Sequence, residues 1–319
     1  MKKVTLISPC YNGKSYVTRF LDSLVDQTYK NVEFIFVNDG STDNTEEIFL
    51  EYKQKLQDKG WSVIYIYQEN SGQASAINKG LEIFTGDYLI FPDSDDILYP
   101  NHIENKVKFM ENHPNCGVAF NIVDIVQESN TEKICRQSDN FKLALPNFVD
   151  NLLQFNLAVW TPVSWIIRSD FFFKSNPFKQ IYPGRAGQNF QLLYPVVKMY
   201  PVEFMHESLA KYVVRELSHS HLPENSIRNT KRVYALYDIV LNTIFNTPIP
   251  IEKKLIDVFK TQTYFLPKFS NKNQTQQNKK KNKKIYLLKK IPLFKIKIKN
   301  NRTKIYFLGI PFLTIKEKE

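Results

Sequence analysis

Long apolar runs are missing from this 319-residue chain: no stretch approaches the roughly 20 consecutive apolar residues of a membrane span. The opening MKKVTLISPCYNG carries two lysines, but its apolar run breaks at Pro9 after about five residues, too few for a signal peptide. Cysteine is scarce. Cys10, Cys116 and Cys135 show no metal-ligand spacing and cannot form an even disulfide set, which fits a reducing compartment. Glycine-rich phosphate loops are absent as well. The first turn reads SPCYNGKS rather than G-x-G-x-x-G, and G-x-x-x-x-G-K-[ST] occurs nowhere, so dinucleotide binding and P-loop chemistry are disfavoured. A cytoplasmic protein is expected.

Charge is unevenly spread. Residues 271–319 hold 15 Lys and Arg against two Glu, whereas residues 1–270 hold 28 basic and 30 acidic residues. The net +11 therefore belongs to the tail, and nucleic-acid binding by the near-neutral body is not expected.

A 43% hydrophobic content supports a sizeable core. Short β-branched runs at 4–9, 32–37, 62–67 and 88–91 alternate with helical patterns at 16–27, 44–56, 71–84 and 100–112, and 116–126 is strand-like again. Such alternation predicts an α/β fold: a mostly parallel, Rossmann-like sheet with helices on both faces. Ser41 or Thr42 is expected to cap the second helix. The strand ends at Cys10, Asn38, Gln68 and Pro92 should share one edge, where open α/β sheets bind ligands.

That edge carries FPDSDDI (91–97), three carboxylates in four positions. Carboxylates this close repel unless a positive charge sits between them. A divalent cation such as Mg²⁺ or Mn²⁺ takes hard oxygen ligands and would relieve the repulsion. The alternative is an acidic turn facing water, with Asp95 or Asp96 as a helix cap. Asp39 falls on the same edge, and two acidic sites converging on one crevice favour a functional site.

Past residue 136 the alternation stops. Helices are expected at 143–155 and 188–200, an extended stretch with Trp160 and Trp165 at 158–168, a short strand at 202–205, and amphipathic helices at 226–245 and 252–265. Residues 271–284 read as a polar linker. KIYLLKKIPLFKIK (284–297) then aligns with KIYFLGIPFLTIK (304–316). This repeat is either a pair of small β-hairpins closing on the body or a basic, aromatic element that meets anionic lipid.

The ordered set P-x-Y-N, NDGSTD, N-x-G-x-x-x-A-x-N-x-G and DSDD, running through residues 4–126, resembles the family 2 glycosyltransferases, whose fold is GT-A. The resemblance implies transfer of a sugar from a nucleotide-diphosphate sugar, expected to be a UDP-sugar, to an acceptor hydroxyl. It also implies Mn²⁺ or Mg²⁺ as cofactor. Pro9, Tyr11 and Asn12 would line the base and ribose pocket. Asp39 would hold the uracil or ribose, and Asn70 and Lys79 would line the donor groove. Asp93, with Ser94 beside it, would face the ribose or donor sugar. Asp95 would ligate the metal, supported by Asp96. The implied organisation is a catalytic domain over 1–225 (nucleotide half about 1–126, acceptor half about 127–225), helices over 226–270, and a linker and basic tail over 271–319.

One departure stands out. Where the family carries Glu-Asp at a helix start in the second half, PGRAGQNFQLLYPV has Gln188-Asn189, and no carboxylate occurs between Asp170 and Glu203. The two amides are expected to position the acceptor, with the general base recruited from His219, His221, Asp124 or Glu207. Arg185 and Arg215 could meet phosphates. Trp160 and Trp165 fit the core or a sugar-stacking platform.

The leading reading is a metal-dependent inverting glycosyltransferase of bacterial surface-glycan synthesis. It would be peripheral on the inner face of the membrane, with a lipid-linked acceptor. A nucleotidyltransferase and a non-catalytic nucleotide-sugar binder are the alternatives.

Overall fold

The computed structural model describes residues 1–138, 148–153, 161–184, 187–215 and 227–270, and four tail strands at 284–287, 291–299, 302–307 and 310–316. It divides into two compact units, Met1–Lys268 and Phe269–Glu319.

In the first unit, β1 (Val4–Cys10), α1 (Val17–Val25), β2 (Val32–Asp39), α2 (Thr45–Asp58), β3 (Ser62–Gln68), α3 (Gln73–Leu81) and β4 (Tyr88–Ile90) alternate as the periodicity predicts. β1 pairs in parallel with both β2 and β4, and β2 with β3. Alternation along β1 sorts its side chains between two faces. Val4 and Leu6 join a core with Phe20, Leu21 and Leu24 of α1 and Phe49 and Leu56 of α2. Ile7 points the other way, under α3. A Cβ on Gly80 would stand 2.4 Å from Ile7 Cγ2, so only glycine lets this helix lie so close.

Beyond β4 come β5 (Ile97–Leu98), α4 (His102–Asn112), β6 (Val118–Gln127), β7 (Asn130–Gln137), α5 (Phe148–Leu153), β8 (Trp165–Arg168), α6 (Ser169–Ser175), α7 (Gln188–Met199) and β9 (Val202–Val214). The strand order is β3-β2-β1-β4-β8-β6-β9-β5, with β7 on β6. Here the expectation of a mostly parallel sheet gives way to a mixed one, because β8 runs antiparallel to both β4 and β6. β9 has 13 residues rather than the four expected, and it pairs in parallel along the whole of β6. Among the described residues of the anticipated extended stretch, Trp165–Arg168 is strand and Pro162–Ser164 forms a 3-10 turn.

α8 (Ile227–Asn246) and α9 (Ile251–Ser270) belong with the first unit through Lys268. Asp257 of α9 is buried, accepts from Tyr194 at 2.6 Å and pairs with Lys198 at 2.7 Å, both on α7. Among the described residues no helix is long and apolar enough to cross a membrane. In the second unit β10 (Lys284–Leu287), β11 (Ile291–Lys299), β12 (Arg302–Phe307) and β13 (Ile310–Lys316) form one antiparallel four-stranded sheet. The repeat is thus a single meander rather than two separate hairpins.

Candidate active site

The site is built at the carboxyl ends of β1, β2, β3 and β4. The loop after β1 is fastened to the loop after β2. Asn12, at φ 50°, accepts from Thr42 N–H at 2.9 Å, and its own N–H donates to Ser41 Oγ at 2.9 Å. Lys14 N–H donates to Asp43 at 3.0 Å. Asp43 also accepts from Thr45 N–H at 3.1 Å, so Asp43 satisfies the first turn of α2, the role expected of Ser41 or Thr42. These bonds hold Tyr11, 48% exposed, on the surface beside the crevice.

Asp39 ends β2 and is buried. Its Oδ1 accepts from Ser71 N–H at 2.8 Å and Gln68 Nε2 at 2.6 Å, and its Oδ2 from Gly72 N–H at 2.9 Å. Asn70 donates to its carbonyl at 3.0 Å. A residue expected to meet the nucleotide is therefore also the clasp that starts α3. Gly40 beside it has φ 75°, and a Cβ there would stand 2.6 Å from Asn70 N, so the turn admits only glycine. Lys79 of α3 is exposed and pairs with Glu82 at 3.4 Å, so its described partner is a helix neighbour rather than anything in the groove.

The acidic cluster follows β4. Asp93, Asp95 and Asp96 each offer an oxygen within 4.8 Å of the others. Ser94 donates to Pro9 O at 3.1 Å and ties the cluster to the end of β1. Asp96 is buried; Oδ1 accepts from Val213 N–H at 3.1 Å, while Oδ2 has no hydrogen-bond partner among the described residues. A buried carboxylate oxygen without a partner, among hard oxygen donors, fits a divalent cation. Asp93 is pushed up to about 7 by burial and then by the Asp95 charge, against a hydrogen bond from Gln73; Asp96 is raised by burial and by both neighbours.

These shifts fix a direction. A carboxyl group whose folded value is raised costs stability as pH climbs from about 4 to about 7, and the cost is complete above that. A bound divalent cation would remove the cost. The rise in melting temperature given by Mn²⁺ is therefore expected to be larger at pH 8 than at pH 6, read by thermal unfolding; an equal rise at both would dismiss it.

Two arginines face the cluster. Arg215 Nη1 lies 3.0 Å from Asp95 Oδ2, and Arg19 Nε donates to Asp95 O at 3.1 Å. Arg19 had no role in the sequence reading, and Arg215 was assigned only to phosphate. Gln73 was also missed. Its Nε2 donates to Asp93 Oδ1 at 2.6 Å, and its Oε1 accepts from Gln188 Nε2 at 2.6 Å. Through Gln73, the first turn of α7 with Gln188 and half-buried Asn189 is joined to the acidic cluster. Asn78 reinforces that junction, donating to Ile181 O at 2.7 Å and accepting from Ile181 N–H at 2.8 Å. A run of N-x-G-x-x-x-A-x-N-x-G shows these amides, but not that two of them turn toward a chain a hundred residues away.

The candidates for a base fare unequally. Asp124 is buried and accepts from Tyr99 at 2.6 Å and Gln137 at 2.7 Å, which leaves it holding β6, β7 and the start of α4 together. Glu207 sits in a β9 bulge opposite Asn121/Ile122 and accepts from Asn101 and Asn105 of the α4 region at 3.2 and 2.9 Å. It precedes Val213, the residue bonded to Asp96, by six positions, on the order of 20 Å of strand. Both carboxylates are thus engaged in bonds that hold neighbouring elements together. His219 and His221 lie outside the described residues, as do Trp160 and Arg185. Trp165 is wholly buried, 5.5 Å from the Phe91 ring, which removes it as a sugar platform.

The model of glycosyl transferase family 2 matches residues 5–174. The chain belongs to that family. An uncharacterised glycosyltransferase of Rickettsia conorii is 30% identical over 217 residues, covering 65% of this chain and 33% of its own. The chain thus spans about a third of the length of such curated relatives. S. aureus TarS 1–349 in complex with UDP-GlcNAc superposes with TM-score 0.62 at 19% identity, over 86% of this chain and 74% of that one. Mannosyltransferase PcManGT from Pyrobaculum calidifontis, in complex with GDP-Man and Mn²⁺, gives 0.58 at 15%, over 87% and 76%. These likenesses establish the GT-A fold of the family 2 chain, with its curled mixed sheet.

Proposed function

We propose that this family 2 protein is a metal-dependent inverting glycosyltransferase that moves a sugar from a UDP-sugar to a saccharide acceptor. The observation that carries this is the cluster of Asp93, Asp95 and Asp96 at the ligand-binding edge, joined through Gln73 to Gln188 of the acceptor half. TarS, with UDP-GlcNAc bound, and PcManGT, with Mn²⁺ bound, support the donor class and the ion.

Asp95 and Asp96, with Asp93 beside them, would hold Mn²⁺ or Mg²⁺, which supplies charge neutralisation for the departing diphosphate. Tyr11 and Asn12 border the base and ribose pocket, and Asp39 contributes its carboxylate to the nucleoside while clasping α3. Gln73 fixes Asp93 toward the ribose and the donor sugar. Gln188 and Asn189, at the mouth of α7, orient the acceptor. An amide cannot take the acceptor's proton at neutral pH, so a base must come from elsewhere. With Asp124 and Glu207 engaged elsewhere, His219 and His221 are the remaining candidates. His219 follows Arg215 by four residues, at most about 14 Å of chain. Replacing each by Ala is expected to cost one of them transfer but not UDP binding; if both variants transfer normally, the base is neither.

The decisive experiment is a panel of UDP-sugars with and without Mn²⁺. Hydrolysis or transfer of one sugar only with the ion supports the reading, and nucleotide binding without turnover against any acceptor would make the protein a binder instead.

The tail sheet supports a membrane-peripheral location on the cytoplasmic side, close to a lipid-linked acceptor of surface-glycan synthesis. Its register sets Lys284 opposite Lys295, Lys297 opposite Lys304, Lys299 opposite Arg302 and Arg302 opposite Lys316, a run of basic residues across all four strands. Each cation at an anionic lipid surface contributes about 1 kcal/mol at best. A chain ending at residue 270 is expected to hydrolyse donor normally but to stay in the supernatant when phosphatidylserine vesicles are pelleted. Continued pelleting would refute the role of the tail.

A further inference from the structure

Four carboxylates and two guanidinium groups meet at the end of β9 among the described residues. Glu128 N–H donates to Val214 O at 3.0 Å, which brings the β6–β7 turn beside the point where Arg215 leaves the sheet. Arg19 is held twice: Nη1 is 3.1 Å from Glu128 Oε1 and Nε is bonded to the Asp95 carbonyl. Arg215 is held differently. Nη1 lies 3.0 Å from Asp95 Oδ2, Nε only reaches to 3.6 Å from Glu128, and the guanidinium carbon stands over the Tyr16 ring, 4.0 Å from its centroid. An aromatic face attracts a guanidinium without fixing its bonds in one direction, so Arg215 can turn on Tyr16 while Arg19 stays.

Counting charge then suggests a sequence of events. With every carboxylate ionised, as a bound cation would favour, Asp93, Asp95, Asp96 and Glu128 exceed Arg19 and Arg215 by two charges, the charge of one divalent cation. Asp95 Oδ2, however, is the oxygen that Arg215 already occupies. A cation that uses this oxygen must displace Arg215. Once it has, the diphosphate of a donor brings fresh negative charge to the same place.

We propose that Arg215 is a resident counter-charge for the carboxylate cluster, seated on Asp95 until a divalent cation claims that carboxylate, and then turned to the donor diphosphate. The proposal rests on the glycosyl-transfer reading. It assigns Arg215 two partners in succession and makes cation and nucleotide binding cooperative.

The test uses the full chain, with free Mn²⁺ followed by electron paramagnetic resonance and UDP binding by calorimetry. In Arg215→Met, Mn²⁺ without nucleotide is expected to bind about three- to fivefold tighter at low salt, the range of a partly exposed ion pair. UDP at saturating Mn²⁺ is expected to bind about tenfold weaker or more, as a charged hydrogen bond is lost. A disturbed fold would weaken both; only a counter-charge moves them in opposite directions. Arg215→Gln, which keeps a polar but uncharged side chain, must likewise tighten Mn²⁺ and weaken UDP binding, and carries the test if the Met variant does not fold. Unchanged or weaker Mn²⁺ binding in a folded variant overturns the proposal. If the unaltered protein takes up no Mn²⁺ with or without UDP, the metal-dependent reading itself falls, an outcome the variants cannot mimic.

Discussion

Replacing Asp95 by Asn is expected to lower kcat/KM for sugar transfer by about a thousandfold, about 4 kcal/mol of transition-state stabilisation, while the fold survives. Asn keeps the shape and one oxygen but not the charge. The diphosphate leaving group would then part without full neutralisation. Stability should hardly change. Asp95 is half-buried, the Arg215 that pairs with its carboxylate is itself partly exposed, and deleting one of three crowded carboxylates relieves repulsion. The Mn²⁺-dependent rise in melting temperature should vanish with the activity. Turnover of a UDP-sugar that persists in this variant and still needs Mn²⁺ would show that the ion sits elsewhere.

Asp39→Ala should fail differently, through the scaffold first. Its two oxygens receive the backbone N–H groups of Ser71 and Gly72 and the Gln68 amide. Truncation leaves those donors short of partners in a site largely closed to water, at a cost of about 2–4 kcal/mol. The start of α3 loosens with them, and Gln73, one residue on, loses its aim at Asp93. UDP affinity is expected to fall at least about tenfold, by the same lost bonds. Asp39→Asn, which can still accept at one oxygen, should fall between the two proteins. Urea unfolding with parallel calorimetry of UDP reads both effects. A stability loss under about 1 kcal/mol would mean the clasp is not what orders the loop.

Much of this was legible in the residues. Period-2 and period-3.6 patterning needs only the alternation of apolar side chains, so β1 to β4 and their helices follow from the sequence. Local turns were nearly as readable, since NDGSTD and DSDD name their own chemistry. Bulges and reversals were not. Nothing in WIIR says that β8 runs against its neighbours, and the breaks that lengthen β9 opposite Asn121 and Ile122 depend on what β6 offers it. Lys106 makes the same point inside the core. Although lysine is seldom fully buried, it is wholly buried in α4 and donates to the carbonyls of Val163 and Trp165 at 2.9 and 3.2 Å.

By itself the sequence determined the family, the parallel half of the sheet and the carboxylates at its rim, because these depend on local spacing and on like charges that need a counter-ion. Only the tertiary structure decided which distant side chains face them. Gln73 meets Gln188 across 115 residues and Asp95 meets Arg215 across 120, while Asp124 and Glu207 are drawn into bonds of their own. Pairings of that kind are set by how the strands close on one another, and no pattern confined to neighbouring residues carries that information.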